Sequence, residues 1–257
     1  MRQVAIDNCV ITNSNRGIAF MVFDGGTVSD VVLSNLTIEC KRRDWFWWGE
    51  GDPLYFAVRQ RSDLDARLRS ADEPPAGSIQ NVLIRGVIAR GSGTSSIEGH
   101  ASSPLEHITI DGLTLHMSAD PSAPFETAEH ALAIKWAKDL ELRNVEVVWD
   151  APASPRWKSA LAVEDAQGLR LEGFAARQAQ SDASAPAIVL ADVDGAVLRG
   201  CRARRGTAEF LHVAGSGCRD IQLIANDLRE AEIPFAADSD ALGDSTIRSS
   251  GDLVRER

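Results

Sequence analysis

A short pattern of alternating apolar residues returns along this chain, and no other feature of the sequence restricts the fold as strongly. Each copy has two apolar residues at alternate positions, then Asn or Gly, then two more alternating apolar residues. Successive clear copies begin 26 to 32 residues apart, except for one interval of 51, and such a period is typical of stacked repeats. Clear copies begin at Val4, Val31, Val82, Ile108, Leu140, Leu169 and Ala196, and an imperfect copy begins at Ile221.

The central position of the clear copies is always Asn or Gly. These residues adopt positive φ more readily than others, so the column predicts a left-handed bend between two short strands in every copy. Alternation on both sides of the bend places the apolar residues on one face of each strand. We expect one stacked line formed by Asn8, Asn35, Gly86, Gly112, Asn144, Gly173 and Gly200.

Each turn holds at least one further apolar segment, such as GIAFMVF at 17–23 or ALAIKWA at 131–137. Such short strands are unstable alone, but when stacked at about 4.8 Å they pair in parallel and share one core. No stretch keeps a helical i, i+3, i+4, i+7 pattern beyond about two turns, and a β-sandwich would not require the fixed column. The sequence therefore predicts an all-β protein, a right-handed parallel β-helix (β-solenoid) of about eight turns.

The repeat also predicts the domain organisation. Residues 2–235 are expected to form one β-helix domain, and the interval of 51 residues marks an inserted loop at about 39–78. The polar residues 236–257 are predicted to be a C-terminal extension that is ordered only if it lies back on the last turn. The first turn has a neighbouring turn on one side only, so we expect an exposed strand edge and end-to-end self-association there.

Composition and charge argue against several classes of protein. A net charge of −10 and a pI near 5.0 disfavour nucleic acid as a partner. No apolar run approaches the roughly 18 residues of a membrane span, and the first residues do not have the pattern of a signal peptide. The cysteines lack zinc or disulfide-framework spacing and the histidines share no spacing, so neither a metal nor another cofactor is predicted.

Three longer segments are more specific: NSNRGIAFMVFDGGTVSDVVLSNLTI, WWGEGDPLYFAVR and GSIQNVLIRGVIARGSGTSSIEGHASSPLEHITIDGLTL. They resemble the C-terminal half of the polygalacturonase-like enzymes of glycoside hydrolase family 28 over residues 3–150, and the continued repeat extends the likeness to residue 235. The resemblance implies inverting hydrolysis of a glycosidic bond in pectin-type or other polysaccharides, by two carboxylates set apart to admit a water molecule. It also implies a secreted or periplasmic protein.

The chain departs from that family at the catalytic motifs. The family carries Asn-x-Asp, Asp-Asp, Gly-His-Gly and Arg-x-Lys on successive turns, and the first three are absent here. Asp7 stands alone, His100 lies in EGHA, and residues 19–21 (AFM) occupy the place of Arg-x-Lys. The catalytic residues are therefore unknown. We expect the family's carboxylates on turns upstream of Met1, and the 257-residue chain to be inactive alone.

The inserted loop provides six candidate substrate-binding residues: Trp47, Trp48, Glu50, Asp52, Arg59 and Arg61. Trp47 and Trp48 can stack on sugar rings, and Arg59 or Arg61 can pair with a uronate carboxylate. The alternative for the tryptophans is packing beneath the long loop, and the alternative for the arginines is a role as solvated loop charges.

Glu50 and Asp52 lie two residues apart beside those tryptophans. They can in principle act as an acid and base pair, although two acids in a glycine-rich turn are more often turn residues. Two functional hypotheses remain open. One is a fragment of a family 28-like hydrolase that binds sugar in its remaining groove, and the other is a non-catalytic β-helix module that binds polysaccharide or protein.

Overall fold

The computed structural model describes residues 1–43, 49–65, 67, 74–123, 126–180, 185–239, 241 and 247–255. Within these ranges almost every regular element is a β-strand, and the helix α1 covers only Arg61–Leu64. The strands are β1 (Arg2–Ser14), β2 (Arg16–Phe23), β3 (Thr27–Cys40), β4 (Asp52–Arg59), β5 (Ser78–Gly91), β6 (Ser95–Glu98), β7 (Leu105–Met117), β8 (Leu132–Trp149), β9 (Leu161–Glu172), β10 (Ala175–Ala176), β11 (Ile188–Arg199), β12 (Arg202–Ala203), β13 (Thr207–Ala214), β14 (Arg219–Ile224), β15 (Ala231–Ala237) and β16 (Ile247–Ser250).

The strands stack in parallel, one turn upon the next. β1, β3, β5, β7, β8, β9 and β11 lie side by side in that order. Val31 pairs with Val4 on one side and with Val82 on the other, so equivalent positions of successive repeat copies meet in register. The predicted parallel β-helix is confirmed.

The Asn and Gly column forms the predicted left-handed bend. All seven predicted members have positive φ, between 50° and 74°. The column continues beyond them through Ala225 (φ 52°) and Gly251 (φ 68°). Asparagine side chains also link the turns at this bend, because Asn35 Nδ2 donates to Asp7 Oδ1 (2.9 Å) and Asn144 Nδ2 donates to Asp111 Oδ1 (3.0 Å).

A second left-handed bend, which was not predicted from the sequence, lies five residues before the first. Short strands join the two bends, as between Asp139 and Asn144 in β8. Residues of several types occupy this bend, so no uniform chemistry marks it in the sequence. Its members, with φ between 49° and 77°, are Gln3, Asp30, Asn81, His107, Asp139, Gly168, Gly195 and Asp220.

The core is a set of apolar columns that run through the turns. Ile110, Leu142 and Leu171 stack as neighbours in successive turns, and each is fully buried. The first turn is more open, because Ile6 is 45% exposed whereas its neighbour Leu33 is 2% exposed. The apolar column that begins with Ile6 is therefore shielded from solvent from Leu33 onwards.

Part of the C-terminal segment lies back on the last turn. β15 pairs with β13, and β16 pairs with β14 through contacts that include Ile247 with Ile221. Asp252 Oδ1 accepts hydrogen bonds from the backbone N–H (2.7 Å) and Nδ2 (2.8 Å) of Asn226. Residues 247–253 thus add a copy of the repeat within the segment predicted as a polar extension. Because Ser249 replaces an apolar core residue in this copy, its pattern was not recognised in the sequence.

Four cysteines are free: Cys40, Cys201 and Cys218 are buried and Cys9 is half-buried. Burial raises the pKa of the Cys40 and Cys201 thiols to about 12. Cys201 follows the Asn or Gly position of its repeat copy, where other copies have an apolar residue, and it is fully buried as a small core residue. No helix in the described ranges is long and apolar enough to cross a membrane.

We predict that Leu142→Asp unfolds the turns around β8, because it places a carboxylate between two buried neighbours that offer it no hydrogen bond. The expected loss of unfolding free energy is about 4 kcal/mol or more, measured by chemical denaturation with circular dichroism. Thr109→Asp is the control, since Thr109 lies half-exposed on the outward side of β7. Equal stability of the two variants would contradict the assignment of Leu142 to the core column.

Candidate functional site

One outward face of the solenoid carries a shallow groove. It lies over β6, the first residues of β8, β9 and the first residues of β11, which pair in parallel. Alternate residues of these strands point outward, so each turn contributes at least two side chains, such as Ser96 and Glu98 in β6. The groove has a volume of about 360 Å³, and its lining includes Ser96, Glu98, His130, Lys135, Ala162 and Glu164.

Charges of alternating sign run across the strands at one edge of this groove. Glu98, Lys135 and Glu164 occupy equivalent positions of three successive turns. Lys135 Nζ donates to Glu164 Oε1 at 2.5 Å, and this hydrogen bond raises the pKa of Lys135. Arg59, at the end of β4, extends the row on the other side through an ion pair with Glu98. The row presents both donors and acceptors to a ligand.

Small side chains form the floor between these charges. Ala133 and Ala162 are paired neighbours in the outward column, and Ala191 follows Glu164 in the charged column. They leave the strand surface open where larger residues would fill it. The groove is therefore flat and accessible rather than a deep pocket.

Trp136 lies beside the groove in an unusual backbone conformation. Its φ is +52°, a region in which bulky residues are uncommon and which is often found at functional sites. The equivalent bends of the next turns hold Asp165 and Asp192 instead. Lys135 Nζ lies 4.5 Å from the centroid of the Trp136 ring, a cation–π contact. Trp136 is thus a half-exposed aromatic surface next to the charged row.

His130 lies at the start of the groove. Burial lowers the pKa of His130, and its Nδ1 is buried without a hydrogen-bond partner in the described part of the chain. Neither His130 nor the charged row was selected from the sequence, because they become neighbours only through the stacking of turns. Lys135 and Trp136 were not selected as candidate site residues from the sequence either.

The residues predicted to bind substrate do not form one cluster. Trp47 and Trp48 lie outside the described residues. Arg59 reaches the groove through Glu98, whereas Arg61 is exposed and pairs with Asp24 at 3.2 Å. Glu50 and Asp52 lie at the opposite end of β4, and seven residues of extended strand span about 23 Å. A substrate-binding role for these residues stays a prediction.

The environment of Asp52 is that of a structural carboxyl group. It is 5% exposed, and its Oδ2 accepts hydrogen bonds from Arg16 Nε (3.4 Å) and the Glu50 N–H (3.3 Å). Burial raises the pKa of Asp52 to about 6, against the opposing effects of that N–H and of Arg16. Glu50 faces Arg42 at 3.4 Å, and the cavity that it lines has a volume of only about 10 Å³. That space cannot hold a sugar ring.

No group of three or more His, Cys, Asp or Glu side chains in the described ranges has the arrangement of a metal site. The groove itself presents carboxylates, an ammonium group and an imidazole, and the Trp136 indole lies beside it. These groups suit hydrogen bonding and stacking with a hydroxyl-rich ligand.

No model of a protein family matches this chain, and no curated protein matches it in sequence. Among solved structures it is similar to a GH136 lacto-N-biosidase from Eubacterium ramulus, with 12% identity and a TM-score of 0.51. The match covers 98% of this chain and 49% of that one. At this identity the similarity shows a shared fold, the parallel β-helix. Membership of glycoside hydrolase family 28 stays a prediction.

Two further similar structures are A-modules of mannuronan C-5 epimerases from Azotobacter vinelandii. The AlgE6 module has 13% identity and a TM-score of 0.40, over 94% of this chain and 65% of that one. The AlgE4 module has 14% identity and a TM-score of 0.37, over 91% of this chain and 82% of that one. The chain thus spans less than two thirds of the AlgE6 module and about half of the lacto-N-biosidase.

We predict that Asp52 makes stability depend on pH. The folded state keeps this proton up to about pH 6, whereas the unfolded chain releases it near the ordinary value of 3.8. The unfolding free energy should therefore fall as the pH rises from about 4 to about 6, by at most about 3 kcal/mol. Asp52→Asn should remove this slope and raise the unfolding free energy at pH 7. The loss of the ion pair with Arg16 should reduce this gain.

The measurement is urea denaturation at a series of pH values. Glu50→Gln is the matched control, because the Glu50 side chain is 40% exposed and its removal should leave the slope in place. A slope that persists in Asp52→Asn would show that another group causes it.

Proposed function

We propose that this chain is a polysaccharide-binding β-helix of the glycoside hydrolase type, and that its groove over β6, β8, β9 and β11 holds the glycan. The observation that carries this proposal is the open groove itself, with its row of Glu98, Lys135 and Glu164 along one edge. Sugar hydroxyls act as both donors and acceptors, and the alternating charges offer both. The half-exposed Trp136 supplies an apolar face for a sugar ring.

The charges of the groove favour a neutral or esterified glycan over a polyuronate. Each cation of the row already has a carboxylate partner, as in the pairs of Arg59 with Glu98 and Lys135 with Glu164. The net charge of −10 also repels a polyanion over longer distances. Uncharged stretches of a pectin-type or other polysaccharide are therefore the expected ligand.

The proposed relationship to family 28 hydrolases rests on the sequence resemblance, as does a secreted or periplasmic location. Three of the family's catalytic motifs are absent from this sequence. We therefore propose that the chain binds glycan without hydrolysing it on its own. The alternative is a β-helix module that binds a protein instead, which a survey of glycans distinguishes because it would then find no ligand.

We predict that Lys135→Ala weakens glycan binding about tenfold, because it removes a charged hydrogen-bond donor from the middle of the charged row. Binding is measured by affinity electrophoresis and calorimetry on neutral, methyl-esterified and acidic polysaccharides. Lys138→Ala is the control, since Lys138 lies on the same strand, exposed and outside the groove lining. Absence of binding to every glycan, or equal losses in both variants, would contradict the proposed site.

The 257-residue chain should release no sugar from polygalacturonate or aryl glycosides above background, as followed by a reducing-sugar assay. A positioned pair of carboxylates normally provides several orders of magnitude in rate, and the family's pair is missing. Robust turnover that is abolished by Glu50→Gln would place an active site in the inserted loop. Turnover abolished by Glu98→Gln would place it in the groove.

We also propose that the 257-residue chain self-associates end to end through the open side of β1. Val10 is 72% exposed and Ile6 is 45% exposed on this strand, which among the described strands pairs with β3 alone. Exposed apolar strand edges favour pairing with a second copy. Sedimentation velocity over a wide concentration range should show association that Ile6→Lys reduces, and a monomer at all concentrations would contradict this proposal.

A further inference from the structure

A serine, a histidine and an aspartate form a continuous hydrogen-bonded chain beside the groove. Ser102 Oγ lies 2.8 Å from His100 Nδ1, and His100 Nε2 lies 2.9 Å from Asp63 Oδ2. A nucleophile within hydrogen-bond reach of a base, which a third group orients, is the arrangement of covalent acyl-transfer sites. Asp63 comes from α1 in the inserted loop, whereas His100 and Ser102 come from the turn after β6.

The hydrogen bonds of His100 indicate which of its two ring nitrogens carries the proton when the imidazole is neutral. The Ser102 backbone N–H donates to His100 Nδ1 (3.2 Å), so Nδ1 is an acceptor. Nε2 then carries the ring proton and donates it to the Asp63 carboxylate. The Ser102 Oγ lies closer to Nδ1 (2.8 Å) than the Ser102 backbone nitrogen does (3.2 Å), so the hydroxyl is within reach to give its proton to this nitrogen.

The turn that holds Ser102 is fixed by its own backbone and by the next turn of the solenoid. His100 and Ser103 exchange two backbone hydrogen bonds, of 3.0 and 2.9 Å, around Ala101 and Ser102. A Cβ on Gly99 would lie 2.3 Å from the Trp136 carbonyl oxygen, so only glycine allows this close approach. The serine is thus exposed on a short and well-supported turn, while the His100 ring is mostly covered.

We propose that Ser102 and His100 are the catalytic residues of an ester hydrolase, with Asp63 as a positioning residue. The substrate class is a small carboxylate ester of an alcohol, such as an acetyl group on a sugar hydroxyl. Ester hydrolysis is an activity beyond the proposed glycan binding. Only the choice of a glycan as the natural alcohol rests on that proposal, since Glu98 in the groove lies two residues before His100.

The reaction balances with water as the only co-substrate. Ser102 Oγ attacks the carbonyl carbon while His100 Nδ1 takes the hydroxyl proton, and the alcohol leaves with that proton. Water then attacks the acyl-serine, gives one proton to Nδ1, and releases the carboxylic acid as the proton returns to Ser102 Oγ. The Ala101 N–H at the turn has no hydrogen-bond partner in the described ranges and is available to the oxyanion.

The Trp136 ring provides an apolar neighbour for the acyl group or the sugar. Its centroid lies 6.3 Å from that of the His100 ring, and the two planes are tilted by 51°. An aromatic ring at this distance is close enough to contact a group that binds at His100, and Ser102 itself is exposed. The site therefore suits a short acyl chain on an exposed polymer rather than a buried lipid.

The test uses the 257-residue chain with a fluorophosphonate probe and with 4-nitrophenyl acetate. We expect the probe to label Ser102, as mapped by peptide mass spectrometry. Ser122 is the internal control, because its Oγ donates to the Asp120 carboxylate (2.6 Å) rather than to an imidazole. Ser102→Ala should abolish labelling and reduce acetate release to the background rate.

His100→Gln should lower both labelling and kcat about 100-fold, because it removes the general base. Asp63→Asn should lower kcat about tenfold and leave KM for the small ester unchanged, which a purely structural role would not do. Labelling of the unmodified chain tests the proposal even if one of the variants fails to fold. No label on Ser102, equal labelling of Ser102 and Ser122, or unchanged acetate release in Ser102→Ala would each overturn the proposal. None of these results depends on glycan binding.

Discussion

Parallel pairing between successive turns is the interaction on which the rest of this structure depends. Each short strand satisfies its backbone hydrogen bonds with the turns above and below, and its inward side chains add to one continuous core. The pairing holds only if every turn bends at the same places. Left-handed residues such as Asn144 in one turn and Gly173 in the next therefore have to lie in register along the solenoid.

Because of this register, residues that are separated by one repeat in the sequence lie side by side on adjacent strands. Residues about 30 positions apart become neighbours at the strand spacing of about 4.8 Å, as Lys135 and Glu164 do. Charged rows and grooves on the outward face are thus built from one side chain per turn. The core restricts only inward positions, which leaves the outward positions free to carry chemistry.

The segment that follows β4 adds to this surface from a different direction. Arg59, the last residue of the solenoid strand β4, contributes its guanidinium to the charged row, and α1 contributes the Asp63 carboxylate to the hydrogen-bonded chain with His100 and Ser102. The proposed glycan groove and the proposed esterase site meet at the end of β6, where Glu98 belongs to the groove and His100 to the triad. A bound polymer would pass from one to the other without leaving the sheet face.

The sequence by itself determined the parallel β-helix, its period and the first bend, because inward apolar positions and the Asn or Gly column repeat with one chemistry in every copy. It did not determine the second bend, where Asp139 and Gly168 share a conformation but no chemistry. It also selected Glu50 and Asp52 because they are close in sequence. Only the tertiary structure showed that Glu50 and Asp52 lie at the opposite end of β4 from Arg59. It also showed that Asp63 contacts His100. Outward residues repeat no pattern, so their partners are decided by the path of the insertion and the stacking of turns.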